Sequence, residues 1–262
     1  MLEENEPLLL RDDAEGIVRL TLNRPQARNA LSRELMSALQ AELERIGEDA
    51  GARVVVLAAA GPAFCAGHDL REIRENTGRD FYEALFAQCS ALMQSIVRLP
   101  QPVIAEVGGI ATAAGCQLVA SCDLAVAAEG ARFATPGVNI GLFCSTPMVA
   151  LSRNVGRKQA MEMLLLGELM DAATALRFGL VNRVVPADRL GREVASMAGT
   201  IAAKSPLTLK IGKEAFYRQL EQPLDEAYAY ASRVMTENML ARDAAEGIEA
   251  FLEKRPPVWS GA

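Results

Sequence analysis

The stretch ATAAGCQLVASCDLAV, residues 111–126, decides how this chain is read. Its first residues are small enough for a tight turn, an apolar helical run follows, and DLAV begins a strand. Between Thr112 and Ser121 the only polar side chain is Gln117, an uncharged amide in apolar company. Small residues at the mouth of a helix let a ligand approach the backbone, and the first-turn N–H groups have no intrahelical acceptor. A second stretch, FCAGHDL (64–70), repeats the design after another apolar strand. Two such donors aimed at one point form an oxyanion hole, which stabilises charge developing on a carbonyl oxygen. Taken singly, either loop is as well explained by tight packing of a helix on a strand.

The segments on either side alternate in character. LLLRDD, a turn at Ala14-Glu15-Gly16 and the alternating IVRLTLN predict a hairpin. Ser32 is placed to cap a helix carrying Leu35, Leu39, Leu43 and Ile46, with Gly47 as its stop. RVVVLAAA (53–60) is a β-branched run of the kind buried on both faces, PVIAEV (102–107) and DLAVAAE (123–129) are further strands, and Phe81–Leu99 is a helix. Strand, small-residue loop and helix recur, which predicts an α/β fold with its loops gathered at one side of a sheet. Beyond residue 145 helices dominate: 146–154, 157–166, 171–177 before Gly179, a short strand NRVV, a helix opened by Ser205-Pro206, and two more between Pro223 and Glu253. The expected division is a core over 1–195 and a helical region over 196–262 that caps the core or meets another subunit.

Composition narrows the function. The chain has 262 residues, 50% hydrophobic and 23% charged, with net charge −6. That balance, with no basic stripe, argues against a nucleic-acid or membrane-surface partner. The acidic start MLEENEPLLLRDD reads as neither a signal nor a transit peptide, which together with the absence of a long apolar run predicts a cytoplasmic protein. The five cysteines are scattered without a C-x-x-C pair, and His68 is the only histidine. Reduced core thiols and no metal site are expected.

Five motifs then occur in one order: NRPQARNAL (23–31), FCAGHDL, AAGCQLVASCDLAVA, FATPGVNIG (133–141) and FLEKRPPVW (251–259). As a set they resemble the crotonase superfamily, the enoyl-CoA hydratase/isomerase family, over roughly residues 10–255. The resemblance implies a ββα superhelix core with a C-terminal helical region, assembled as a homotrimer or a dimer of trimers. It implies an acyl-CoA thioester as ligand, coenzyme A entering as part of the substrate and no separate cofactor. Carried over by position, the oxyanion donors are the backbone N–H groups of His68 and Ala114. Coenzyme A would lie along Ala27, Arg28, Ala66, Gly67, His68, Asp69 and Leu70, with Phe251 and Lys254 as C-terminal contacts that usually reach a neighbouring subunit.

The same resemblance exposes a break. The two glutamates that the family's hydratases use for proton transfer correspond to Gln117 and Gly137, and a third acid position of the isomerase branch is Ser145. None exchanges a proton near neutral pH, and an acid–base group is typically worth about 10²–10⁴-fold, so classical hydration is doubtful. Three alternatives stay open: a weak hydratase or isomerase, a decarboxylase or hydrolase using His68, and a non-catalytic acyl-CoA binder. Cys144 lacks any base but His68 and is read as a core thiol. Asp69 and Asp123 are read as capping or loop residues, and Glu106 faces away from Val103, Ala105 and Val107 on its strand. With the backbone hole intact, restoring Gln117→Glu and Gly137→Glu together is expected to raise hydratase activity.

Overall fold

The computed structural model describes residues 6–262; the first five residues of the acidic N-terminal stretch, and the part of the leader reading that rests on them, lie outside the described residues. The hairpin is β1 (Leu9–Ala14) and β2 (Ile17–Leu22), antiparallel, with Leu10 opposite Thr21. Helix α1 (Arg33–Glu48) begins where expected: the Ser32 hydroxyl accepts the Leu35 N–H at 3.2 Å. It runs through Gly47 and ends at Asp49, because Gly47 remains helical on a face that Leu99 covers.

Three turns of one motif follow. β3 (Val54–Ala59) and β4 (Ala63–Cys65) lead to α2 (Leu70–Glu75) and α3 (Arg79–Arg98); β5 (Val103–Val107) and β6 (Ile110–Thr112) lead to α4 (Ala114–Ser121); β7 (Leu124–Ala128) and β8 (Arg132–Ala134) lead, through a 3-10 turn at Pro136–Ile140, to α5 (Pro147–Asn154). The first strand of each turn joins one sheet, of order β1-β2-β3-β5-β7-β10, parallel except for the hairpin. The second joins another, β4-β6-β8-β9, in which only β9 is antiparallel. The chain continues through α6 (Arg157–Leu166), β9 (Met170–Asp171), α7 (Ala172–Phe178) and β10 (Arg183–Val185). This is the expected ββα superhelix. The three-residue strands β4 and β6 lie within segments read above as a loop and a turn, and β8 lies where no element was expected; all three are too short for any alternation to show.

The continuous apolar run of β3 has the predicted cause. Val55 and Leu57 face the main core with Leu35, Leu39, Leu92, Val119 and Phe133, while Val54 and Val56 face Leu190, Val194 and Ala198 of α8 (Leu190–Ala202) on the back of the sheet. Fully burying one such side chain contributes about 1.5–3 kcal/mol, so both faces are heavily committed. Because α8 packs on β3, β5 and β7, it belongs to the core, and a boundary between 195 and 196 would cut the helix.

Helices α9 (Pro206–Gln219), α10 (Leu224–Met239) and α11 (Arg242–Glu253) form the C-terminal region. One buried cluster fastens α9 to the core. Lys213 Nζ donates to the carbonyls of Ile96 and Gln101 and to Asp123 (2.7 Å), whose carboxylate also accepts the Val103 N–H and the Tyr217 hydroxyl. Asp123 thus works as a strand-start anchor across ninety residues of chain. Asp243 similarly gathers Ser205, Ser260 and Gly261, and folds the C-terminal tail back onto α11. α10 and α11 otherwise leave Leu224, Tyr228, Leu240, Phe251 and Leu252 largely exposed.

Candidate functional site

The two small-residue loops meet. Gly67, at φ +93°, lies so near the start of α4 that a methyl group built on it would stand 2.9 Å from Ala113 Cβ and 3.3 Å from the Ala114 nitrogen. Gly115 is seated against the Cys65 carbonyl with no room for a side chain, and the Thr112 hydroxyl donates to the Ala66 carbonyl at 3.1 Å. Ala113 precedes the helix at φ 51°, ψ −120°, a conformation costly for a residue with a Cβ, of order 1–3 kcal/mol. Its N–H donates to the Ala134 carbonyl (2.9 Å) and its carbonyl accepts the Gln117 N–H (3.0 Å), which hold it there. Among the described residues, neither the Ala114 N–H nor the His68 N–H finds an acceptor. Both N–H groups are therefore without a backbone acceptor there, and Ala114 lies at the positive end of α4.

Residues 24–31 are strapped to this pair. The Ala66 N–H donates to the Arg28 carbonyl, the Leu31 N–H to the Gly67 carbonyl and the Asp69 N–H to the Leu31 carbonyl, at 2.8–3.2 Å. Asn29, fully buried and left-handed at φ 52°, accepts the Arg24 N–H and donates to the carbonyls of Ala60 and Ala63, at 2.8 Å each. Arg24 pairs with Asp69 at 3.1 Å and donates to the Ala30 carbonyl. Asp69 also caps α2 by accepting the Arg71 N–H; burial opposes its ionisation, but the bonds from Arg24 and Arg71 prevail and hold its carboxyl below the usual range. Ala27, Arg28, Ala66, Gly67, His68, Asp69 and Leu70 thus form one contiguous rim. Sequence reasoning passed over Arg24, Asn29 and Thr112, although the first two stand inside NRPQARNAL. Phe251 and Lys254 lie apart from it: α11 packs on α9 and α10, and Phe251 is 82% exposed.

The interior of the site is uncharged. The His68 ring packs edge-on against Phe86 with centroids 5.6 Å apart, and burial keeps the imidazole below its ordinary pKa, hence neutral at pH 7. Gln117 is buried on α4, all eight of whose residues are enclosed. Gly137 is closed off: a Cβ there would stand 2.7 Å from the Leu142 carbonyl oxygen and 2.9 Å from Cys144 Sγ. This corrects the expected gain from Gly137→Glu, because the loop 142–144 occupies the space that a side chain would need. Burial pushes the Cys144 thiol up, against a thiolate role, and all five cysteines are free and buried. Ser145 is exposed on that loop. Glu106 is paired with Arg19 at 2.7 Å on the α8 side of the sheet, away from the loops. No group of three or more metal-ligating side chains gathers among the described residues, and no helix there is long and apolar enough to cross a membrane.

A family model described as enoyl-CoA hydratase/isomerase matches residues 12–262. The chain is 48% identical over 258 residues to enoyl-CoA hydratase domain-containing protein 3, mitochondrial, of Rattus norvegicus, covering 98% of this chain and 86% of that protein. A solved structure of an enoyl-CoA hydratase from Mycobacterium smegmatis superposes with TM-score 0.95 at 57% identity, covering 97% of this chain and 99% of that one. The human enoyl-CoA hydratase domain-containing protein 3 does so with TM-score 0.94 at 47% identity, covering 97% and 100%. These relatives overturn the expectation of a cytoplasmic protein, since the rat, frog and human proteins are mitochondrial by name. That expectation rested on charge and on the first residues of the chain, and a folded core of this composition is compatible with either compartment.

Proposed function

The chain belongs to the enoyl-CoA hydratase/isomerase family, and from that premise we propose that it binds an acyl-CoA thioester and polarises the thioester carbonyl between the backbone N–H groups of His68 and Ala114. The observation that supports this reading is the Gly67–Ala113–Ala114 contact, which brings together the two loops that carry these amides. Preorganised backbone donors cost nothing to reorient when charge develops, and one such donor is commonly worth about 10²–10³-fold in rate. Coenzyme A would follow the strapped rim from Ala27 and Arg28 to Leu70, entering as part of the substrate and not as a separate cofactor.

The chemistry beyond polarisation is limited by the interior. Gln117 can orient a ligand but cannot take its proton, Gly137 has no side chain, and His68 is neutral and solvent-poor. We therefore propose a site that stabilises an enolate-like thioester with little proton transfer of its own, and hydration of an enoyl-CoA at a small fraction of a two-glutamate enzyme's rate. A second reading, an acyl-CoA binder without turnover, is favoured by the same lack of a proton-exchanging pair.

The apolar faces of α10 and α11 support assembly as a homotrimer or pair of trimers, with Phe251 and Lys254 presented to a neighbouring copy; Leu240 at 76% and Phe251 at 82% exposure would be a liability in an isolated chain. Titrating the purified protein with crotonyl-CoA in binding and turnover formats, alongside light scattering for mass, tests all three points. Micromolar binding with turnover at least 10²-fold below a two-glutamate hydratase is expected. Hydration at full rate would overturn the reading of Gln117 and Gly137, and failure to bind any acyl-CoA would overturn the site.

A further inference from the structure

A cavity of about 380 Å³ opens at the end of the large sheet opposite the two small-residue loops. It lies where β3 and β5 begin, and those loops follow where the same strands end. Its volume is near the low end of the roughly 300–1,000 Å³ of small-molecule sites. Four segments wall it: the 47–53 stretch at the end of α1, residues 100–102, the first turns of α9, and Ser260-Gly261 of the tail. The C-terminal end of α1 brings partial negative charge and the Glu48 carboxylate, and the N-terminal end of α9 brings partial positive charge and Lys210. Glu48, Lys210 and Arg53 enter no ion pair among the described residues, whereas Asp49 is engaged by Arg11 and by the Gly51 N–H.

Gln101 lines the cavity at 8% exposure, and its Oε1 is buried without a hydrogen-bond partner among the described residues. Its Nε2 donates to the carbonyls of Ile46 (2.8 Å) and Asp49 (3.4 Å), which turns Oε1 away from α1 and into the cavity. The reverse orientation would set oxygen against two carbonyls. The Gln101 backbone is fixed as well, because its carbonyl accepts Lys213 Nζ at 3.0 Å. On the α9 side, Pro206 has no N–H and the Ser205 hydroxyl accepts the Thr208 N–H, but the Leu207 N–H finds no acceptor among the described residues. Buried polar groups are nearly always paired, so one end of the cavity calls for a donor and the other for an anion. A simple anion would leave Gln101 Oε1 and Glu48 unmet; a simple amine would leave Lys210 and the Leu207 N–H unmet. A zwitterion meets both, and Ala52, Pro100, Pro102 and Leu209 add apolar wall for a side chain.

We propose that this cavity binds a free α-amino acid with an apolar side chain. Its ammonium group donates to Gln101 Oε1 and faces Glu48, and its carboxylate accepts from the Leu207 N–H and Lys210. The site is separate from the acyl-CoA loops and does not rest on their reading. Calorimetric titration with L-leucine, 4-methylpentanoate and 3-methylbutylamine tests it, since the last two keep the leucine side chain and one charge each. Leucine is expected to bind at least tenfold tighter than either, because each half-ligand leaves one end of the cavity unpaired. Gln101→Met, which loses Oε1 together with the bonds to α1, is expected to abolish the preference for leucine over 4-methylpentanoate. Lys210→Met, at an exposed position, serves if that variant does not fold; it is expected to weaken leucine about tenfold and to leave crotonyl-CoA binding unchanged. Equal binding of leucine and 4-methylpentanoate would overturn the proposal. So would binding of none of the three, or leucine binding untouched by Lys210→Met.

Discussion

Gly67 and Ala114 stand so close that any side chain on the glycine would press on the amide donor of the alanine, at 3.3 Å. Residues nearly fifty positions apart in the chain are thereby brought into close approach. Gly67→Ala must relax a backbone at φ +93° as well as this contact. It is expected to destabilise by about 1–3 kcal/mol and to weaken acyl-CoA binding at least tenfold. Chemical denaturation and ligand titration of the same variant check both; an unchanged affinity would remove Ala114 from the site.

Gly137 is the second closed position. With the Leu142 carbonyl and Cys144 Sγ within 3 Å of a built Cβ, Gly137→Ala is expected to cost about 1–3 kcal/mol through overpacking. Gly137→Glu, alone or with Gln117→Glu, is expected to bring no gain in crotonyl-CoA hydration. A rise in hydration by a folded double variant would show that the 142–144 loop yields more easily than its contacts imply.

Among the described residues, Asp123 and Lys213 form the most enclosed ion pair, with side-chain exposures of 16% and 7%. Removing one partner leaves the other charged and buried, so Lys213→Met is expected to cost about 3–5 kcal/mol. Asp123→Asn combined with Lys213→Met should recover part of that loss, since the remaining groups are neutral. Urea denaturation of the two variants decides it: a single variant costing no more than the double would mean that the charge itself is not what destabilises.

His68 gives the chain a pH dependence of known sign. Burial lowers its folded-state pKa from 6.5, so between the two values the unfolded chain holds a proton that the native chain does not. Stability should therefore fall as pH drops through about 6.5 and level off below the folded-state value. Because His68 is the only histidine, this component should vanish in His68→Phe, which keeps a ring against Phe86. An identical slope of unfolding free energy between about pH 5.5 and pH 7.5 in both proteins would place the titration elsewhere.

Much of the fold was legible because burial leaves a period in the chain. Ser32 and the Leu35–Ile46 spacing marked α1, and the unbroken β-branched run of β3 announced a strand covered on both faces, as its contacts with the core and with α8 bear out. The strands β4, β6 and β8 left no such mark, since three residues of small side chains hold no alternation. Helix α8 was passed over although its buried residues Leu190, Val194 and Ala198 recur every four positions.

The order of the motifs was enough to identify the family, because it is a property of residue type at a place in the chain. Only the tertiary structure decided that Gly67 meets Ala114, that Asn29 and Arg24 bind the rim together, and that Leu142 and Cys144 fill the space over Gly137. Periodicity records which face of a segment is buried but not what covers it. Small residues, which make these contacts possible by having almost no side chain, carry the least record of their partners.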